Sequence, residues 1–277
     1  MRVEACCQSL LTHFLPLVDP QRQGLCLDVG VGTFAFYCEQ FARLGFPTVA
    51  VEPLPVPQLK RLAKALSFQL IEACLSDTNG QQTLYQGRFA GFFNSNFSSL
   101  SPDWFGASPR ATLVPTQTLP TLIQALQPGQ ITCLKLDIEG WEFNVLKQLP
   151  LLPAALRPKV ILFEYGGGAS KHRDEKGWSQ HFFEGTLNCL RVLQACGYQD
   201  SLLIDFAPQT QETRFHLPTI ETTTDESLLN LFPDHCIYGN IISFLDYPLN
   251  AEWVAQLCRP YYRVNPLERL VSQLVSR

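Results

Sequence analysis

The sequence predicts an α/β fold in which a mainly parallel sheet carries helices on both faces. Three features point there. Short apolar, β-branched runs alternate with amphipathic helical stretches along much of the chain. The first run, within Leu25–Ala35 (LCLDVGVGTFA), reaches an acid at its end and turns through Gly30 and Gly32. A Rossmann-like sheet offers backbone N–H groups to a nucleoside-bearing cofactor in this way. Acids recur at the ends of later strand candidates, at Glu52, Asp137 and Glu164, where packing does not need them and a ligand does.

At 277 residues, with 46% hydrophobic and 17% charged, the chain can build a sizeable core and is too apolar for disorder. A single domain over 1–277 is expected, with a helical extension at each end (1–23 and 246–277) and an inserted irregular segment at 78–120. The net charge of -4 gives no basic field, which argues against nucleic-acid partners. No apolar run reaches the ~18–20 residues of a membrane span, and the N-terminus lacks a basic-then-apolar signal, so a cytoplasmic protein without a membrane partner is expected. None of the ten cysteines forms a C-x-x-C pair and most lie in apolar runs, as buried reduced thiols do.

In chain order, the apolar Cys26, Leu27 and Val29 form a buried strand interrupted by Asp28, and Phe34–Leu44 reads as a helix closed by Gly45. Pro47–Pro53 (PTVAVEP) is a second short strand ending at Glu52, Gln58–Leu66 an amphipathic helix, and Phe68–Leu75 a third strand leading into Ser76 and Asp77. From Thr78 to Pro120 the pattern breaks, leaving only short strand-like pieces at Gln82–Tyr85 and Ala111–Val114. Its Phe92, Phe93, Phe97, Trp104 and Phe105 either line a cleft or seal the insertion onto the core. Ile131–Leu149 (ITCLKLDIEGWEFNVLKQL) carries a buried strand to Asp137 and Glu139, which alternation turns to one side if the strand persists that far. Gly140 then opens a helix. A fifth strand, Lys159–Tyr165, ends at Glu164 before three glycines. Phe182–Cys196 reads as a helix, Ser201–Phe206 as a strand, Ala207–Asp225 as an exposed connection or lid, and Cys236–Leu245 as a final antiparallel strand. Ala251–Arg277 reads as helix interrupted at Pro260 and Pro266, capping the sheet or serving a homodimer.

Asp28 and Glu52 at successive strand ends suit a ribose, whose two hydroxyls one carboxylate can accept. Nicotinamide dinucleotides and S-adenosylmethionine both carry one. An acid just before the glycine turn repels a pyrophosphate and attracts an ammonium or sulfonium, which favours S-adenosylmethionine. The following helix also lacks an obvious phosphate-binding Ser, Lys or Arg, Thr33 excepted.

Taken together, DVG at Asp28–Gly30, VEP at Val51–Pro53, LSD at Leu75–Asp77 with Gly80, TL at Thr118–Leu119, LKLDIEGWEFNVL at Leu134–Leu146 and LFE at Leu162–Glu164 resemble the FkbM family of S-adenosylmethionine-dependent methyltransferases. The resemblance spans roughly positions 24–200, with the DIEG-x-E block the most specific part. It implies a Rossmann-like class I methyltransferase fold with a seven-stranded, mostly parallel sheet. It places Gly30 and Glu52 around the methionine and ribose, Ser76 and Asp77 near the adenine, and implies O-methylation of sugar or natural-product hydroxyls. Gly32, Thr33, Pro53 and Asp137 complete the expected cofactor set with Asp28. The chain departs from the family where Val31, Gly32, Thr33 and bulky Phe34 follow Gly30, since the family continues with alanine, asparagine and a further glycine. The charged loop Lys171–His181 looks particular to this protein or its close relatives, and acceptor specificity is expected there and in the aromatic insertion.

Methyl transfer to a hydroxyl needs an aligned acceptor and a base. The candidates are Asp137, Glu139, His172 and His181; the acids have the fixed position and the histidines the intrinsic pKa. Alternatively Asp137 orders the loop, Glu139 caps the next helix and the histidines are merely solvated. Asp137, Glu139 and Glu164 could supply oxygens to a divalent ion, but no spacing demands one, and activity is expected to survive chelation. The partner expected is a small-molecule or glycan acceptor. A dinucleotide-dependent oxidoreductase and a non-catalytic binding protein of the same fold are the alternatives.

Overall fold

In the computed structural model, which describes residues 1–89, 92–167, 169–221 and 224–262, the chain falls into two compact units. One is Leu15–Lys159; the other is Met1–Phe14 together with the described residues from Val160 onward. A helix, α1 (Val3–Val18), opens the chain.

The Leu15–Lys159 unit begins with β1 (Leu25–Val29), α2 (Phe36–Arg43), β2 (Thr48–Val51), α3 (Pro57–Leu66) and β3 (Gln69–Ile71). Every residue of β1 and β2 is buried, which is why these strands read as near-continuous apolar runs. Pro57 sits in the first turn of α3, where its missing N–H costs nothing. Val31, Ala35, Cys38, Ala50, Leu59, Ala63 and Phe68 pack into one cluster that seats α2 and α3 on the strands. There follow β4 (Cys74–Ser76), β5 (Gly80–Phe89), β6 (Phe92–Phe93), β7 (Ala107–Thr118), α4 (Leu119–Leu126), β8 (Ile131–Leu136) and α5 (Glu142–Leu146). β3, β2, β1 and β8 run parallel in that order.

A separate sheet, ordered β4-β7-β5-β6, occupies the segment expected to be irregular. The short pieces at Gln82–Tyr85 and Ala111–Val114 lie within strands of 10 and 12 residues, paired antiparallel. Their apolar content is thin. Among the described residues Cys74, Leu84 and Val114 with Leu100 make a small core cluster here, so alternation gave little signal. The expected strand Phe68–Leu75 is instead two, β3 and β4, which serve different sheets.

The other unit contains β9 (Val160–Gly166), α6 (Gln180–Ala195), β10 (Tyr198–Asp205), β11 (Thr213–His216), α7 (Asp225–Leu229), β12 (Tyr238–Leu245) and α8 (Ala251–Cys258). β12 is antiparallel, as expected, to both β9 and β10, and β11 is antiparallel to β10. The architecture is therefore mixed α/β, which corrects the expectation of seven mostly parallel strands. One reason is β11: it arises inside the polar stretch expected as an open connection, where Thr213–His216 pairs with Asp200–Leu203. The loop Lys171–His181 is largely two 3-10 turns, Lys171–Arg173 and Lys176–Trp178. At the C-terminus α8 and a 3-10 turn at Arg259–Tyr261 meet the expected helix; the remainder of it, from 263 and including Pro266, lies outside the described residues. All ten cysteines are buried and in the thiol form. Among the described residues no helix is long and apolar enough to cross a membrane.

Candidate functional site

The site is built from the chain that leaves β1, β2, β4 and β8, all within the Leu15–Lys159 unit. Asp28 lies in β1 opposite Lys135 of β8. Asp28 is 1% exposed and Lys135 3%; charges so removed from water persist only when paired and hydrogen-bonded. Here Lys135 Nζ lies 3.1 Å from Asp28 Oδ1, donates to the Gly30 carbonyl at 2.7 Å and reaches Asp137 Oδ2 at 3.5 Å. The second Asp28 oxygen accepts the Cys38 N–H in the first turn of α2 at 2.8 Å. The Tyr37 ring lies 5.4 Å from the ammonium. Asp28 thus acts on the turn from beneath it. Lys135 was missed in the sequence, although a single lysine inside the apolar run ITCLKL is itself a signal that an acid lies nearby.

The glycine turn follows. Gly30 has φ +73°, and a Cβ there would sit 1.8 Å from the Asp137 carbonyl oxygen. Gly32 has φ +62°, and a Cβ there would approach Asn96 Oδ1 to 2.8 Å. Both need glycine for conformation, and Gly30 needs it for space as well, since the atom it meets is backbone. Gly32 N–H donates to Glu52 Oε2 at 3.0 Å and Leu54 N–H to Oε1 at 3.1 Å, while Thr33 N–H donates to Asn96 Oδ1 at 2.9 Å. Glu52 and Pro53 are half-buried at the end of β2. Desolvation pushes the Glu52 carboxyl above its ordinary pKa, partly offset by the two backbone N–H groups. Phe34, the departure from the family pattern, is 63% exposed and stacks on Phe36 with ring planes 5° apart.

At the end of β4, Ser76 is fully buried. Its hydroxyl donates to Gln82 Oε1 at 2.7 Å and accepts Trp141 Nε1–H at 3.1 Å, while its carbonyl accepts from Gln148 Nε2 at 2.9 Å. Asp77, more open, pairs with Lys147 at 2.8 Å. Ser76 therefore fixes the DIEGW loop against β4, and Asp77 is the member of the pair with a carboxylate toward solvent.

Asp137 and Glu139 come together by a turn and not by strand alternation. β8 ends at Leu136, and Glu139 has φ +57°, which overturns the expectation that the strand carries both acids. Their carboxylate oxygens nevertheless lie within 4.8 Å of each other. Asp137 is about one-third exposed and Glu139 is buried. Glu139 accepts a short hydrogen bond from Trp104 Nε1, and its carbonyl accepts from Ser99 Oγ at 2.6 Å. Burial and the neighbouring Asp137 hold the Glu139 pKa well above the carboxylate range, against the opposing pull of Trp104. Glu142, also buried, accepts the Ile138 N–H at 2.9 Å, and desolvation lifts it to about 7. Of the segment expected either to line a cleft or to seal the core, Trp104 is buried against Glu139, while Phe92 and Phe93 are 78% and 56% exposed.

His172 and His181 are exposed, on the first 3-10 turn and at the start of α6, and belong with Glu164 of β9 to the other unit. The residues brought together in one place are Asp28, Gly30, Gly32, Thr33, Glu52, Asp137 and Glu139, joined by Lys135, Asn96, Ser99 and Trp104. This is a carboxylate-rich turn cluster with one buried ammonium, suited to a cationic ligand and to taking up a proton.

No curated protein matches the chain. Residues 28–199 match the Methyltransferase FkbM domain, from the Asp28 that opens the glycine turn through the Asp137–Glu139 turn and into β10. Because that match covers more than half of the chain and includes these turns, the protein belongs to the FkbM family of methyltransferases.

Proposed function

We propose that the protein transfers a methyl group from S-adenosylmethionine to a hydroxyl of a small molecule or glycan. The observation that carries this reading is Glu52. Its half-buried carboxylate spends one contact per oxygen on Gly32 and Leu54 N–H, and a carboxylate has about four acceptor positions. Capacity remains for the two hydroxyls of a ribose beside a glycine turn in which a Cβ at Gly30 has no room. The acids clustered with Glu52 suit the positive charge of an aminoalkyl sulfonium and disfavour a pyrophosphate.

When bound, the cofactor would supply an electrophilic methyl group on its sulfonium. The chain does the rest. Glu52 would hold the ribose end, Asp77 would offer an acceptor to the adenine amine, and Gly30, Gly32, Thr33 and Pro53 would shape the wall between. Lys135 neutralises Asp28 and holds the Asp137 turn against Gly30. In its ionised form Glu139 takes the acceptor proton, which burial then helps it to keep, and Asp137 beside it orients the hydroxyl.

Calorimetric titration with S-adenosylhomocysteine and, separately, with NADH tests the cofactor assignment. Binding of the former alone is the expected result. Binding of NADH alone overturns it in favour of an oxidoreductase, and binding of neither favours a non-catalytic role.

A further inference from the structure

The segment Asn94–Gly106 forms a strap between the two turns of the site. Asn96 Oδ1 accepts the Thr33 N–H at 2.9 Å, 63 positions away in the chain. Ser99 Oγ donates to the Glu139 carbonyl, and Trp104 Nε1 to the Glu139 carboxylate. The strap is itself fastened. Asn94 Oδ1 accepts the Asn96 N–H at 3.1 Å, Ser98 Oγ accepts the Gly87 N–H at 3.1 Å, and Tyr85 and Ser99 exchange both backbone hydrogen bonds. A Cβ on Gly87 would lie 2.2 Å from the Asn94 carbonyl oxygen, and one on Gly106 would lie 2.5 Å from Phe97 Cβ. Neither position can grow without moving the strap.

The glycine turn needs such an anchor. Gly32 and the non-glycine Ala35 both sit at positive φ, +62° and +55°, a conformation that persists at a non-glycine residue only when surroundings hold it. Ala35 is the residue preceding α2 and has no side-chain cap. Between these two residues, Thr33 N–H is held from outside the turn by Asn96.

We propose that Asn96 is a positioning residue for cofactor binding: its carboxamide oxygen sets the glycine turn through the Thr33 N–H. The inference rests on the reading of that turn as part of an S-adenosylmethionine site. It makes the inserted sheet, and not only β1 and α2, a determinant of cofactor affinity. The accepting oxygen is the functional atom, so aspartate replaces asparagine and alanine does not.

The test compares Asn96→Ala, Asn96→Asp and Ser99→Ala, reading S-adenosylhomocysteine affinity by calorimetry and Thr33 amide hydrogen exchange by NMR. Asn96→Ala is expected to weaken binding about tenfold, the loss of one well-formed hydrogen bond, and to speed Thr33 exchange. Asn96→Asp is expected to stay within about threefold of wild type and to keep Thr33 protected. Ser99→Ala, which loosens the other end of the strap, is expected to leave Thr33 exchange at the wild-type rate. Wild-type affinity in Asn96→Ala overturns the proposal, as does an aspartate variant as weak as the alanine one. Equal acceleration of Thr33 exchange in Ser99→Ala overturns it too, because general loosening then accounts for the effect. Should wild type bind no S-adenosylhomocysteine, the cofactor reading falls, and Thr33 exchange alone decides the role of Asn96.

Discussion

Lys135 and Asp28 face each other across β8 and β1 with Nζ and Oδ1 3.1 Å apart, both withdrawn from water. The pair lies under the glycine turn, and the same ammonium touches the Gly30 carbonyl and the Asp137 carboxylate. One lysine therefore fastens both turns that carry the chemistry. Its removal leaves a buried carboxylate uncompensated, which is costlier than losing both charges.

Lys135→Met is accordingly expected to destabilise the protein by about 3–5 kcal/mol. The double variant Lys135→Met, Asp28→Asn is expected to recover part of that loss. Denaturant unfolding of the two variants measures the difference. A double variant no more stable than the single one would show that charge pairing is not the source of the effect.

Glu52→Ala separates ligand binding from folding. Glu52 is half-buried, and its loss frees two backbone N–H groups beside solvent, a cost of about 1–2 kcal/mol. S-adenosylhomocysteine binding is expected to fall by more than about tenfold, the equivalent of losing hydrogen bonds to a charged group. Asp28→Ala acts differently: its melting temperature drops first, because Lys135 loses its buried partner on β1 and the Cys38 N–H its acceptor. Calorimetry beside thermal melting distinguishes the two patterns.

Glu139→Gln keeps the shape of the acid and removes its proton affinity. With an acceptor in hand, turnover is expected to fall about 100-fold or more, while S-adenosylhomocysteine affinity stays within about threefold of wild type. Unchanged turnover would move the base to Asp137 or to His172.

Glu142 makes stability depend on pH with a definite sign. In the folded protein its carboxyl holds a proton up to about pH 7, whereas the unfolded chain releases it near the ordinary value of 4.5. Between those values the folded state binds more protons, so its contribution to stability declines as pH rises through the window and is level beyond it. Relative to Glu142→Gln, wild type is expected to lose on the order of 3 kcal/mol between pH 4.5 and 8. A stability difference that does not vary with pH would show that Glu142 titrates normally.

Much of the site could be read from local sequence because its parts are local. The apolar run with Asp28 and two glycines, the β-branched strand ending at Glu52, and the DIEG turn each carry their own signal within about ten residues. What escaped was what joins them. Lys135 and Asp28 meet only once β1 and β8 are adjacent, and Asn96 meets Thr33 only once the inserted sheet is in place. Neither contact leaves a periodicity. The strands β5 and β7 were underestimated for a related reason: the cluster at Cys74, Leu84 and Val114 buries too little to impose alternation on the sequence. Convergence of Asp137 and Glu139 was anticipated, but through a strand that in fact stops at Leu136.

Gly30 carries one more consequence. With 1.8 Å between its absent Cβ and the Asp137 carbonyl oxygen, and Asp137 N–H bonded to the Val29 carbonyl at 3.1 Å, the two loops have been shaped against each other at the level of single atoms. They pack as one unit although they lie far apart in the chain. A chimaera that borrows the 28–35 loop from a relative must borrow the 135–142 loop with it, because neither surface is complementary to a stranger.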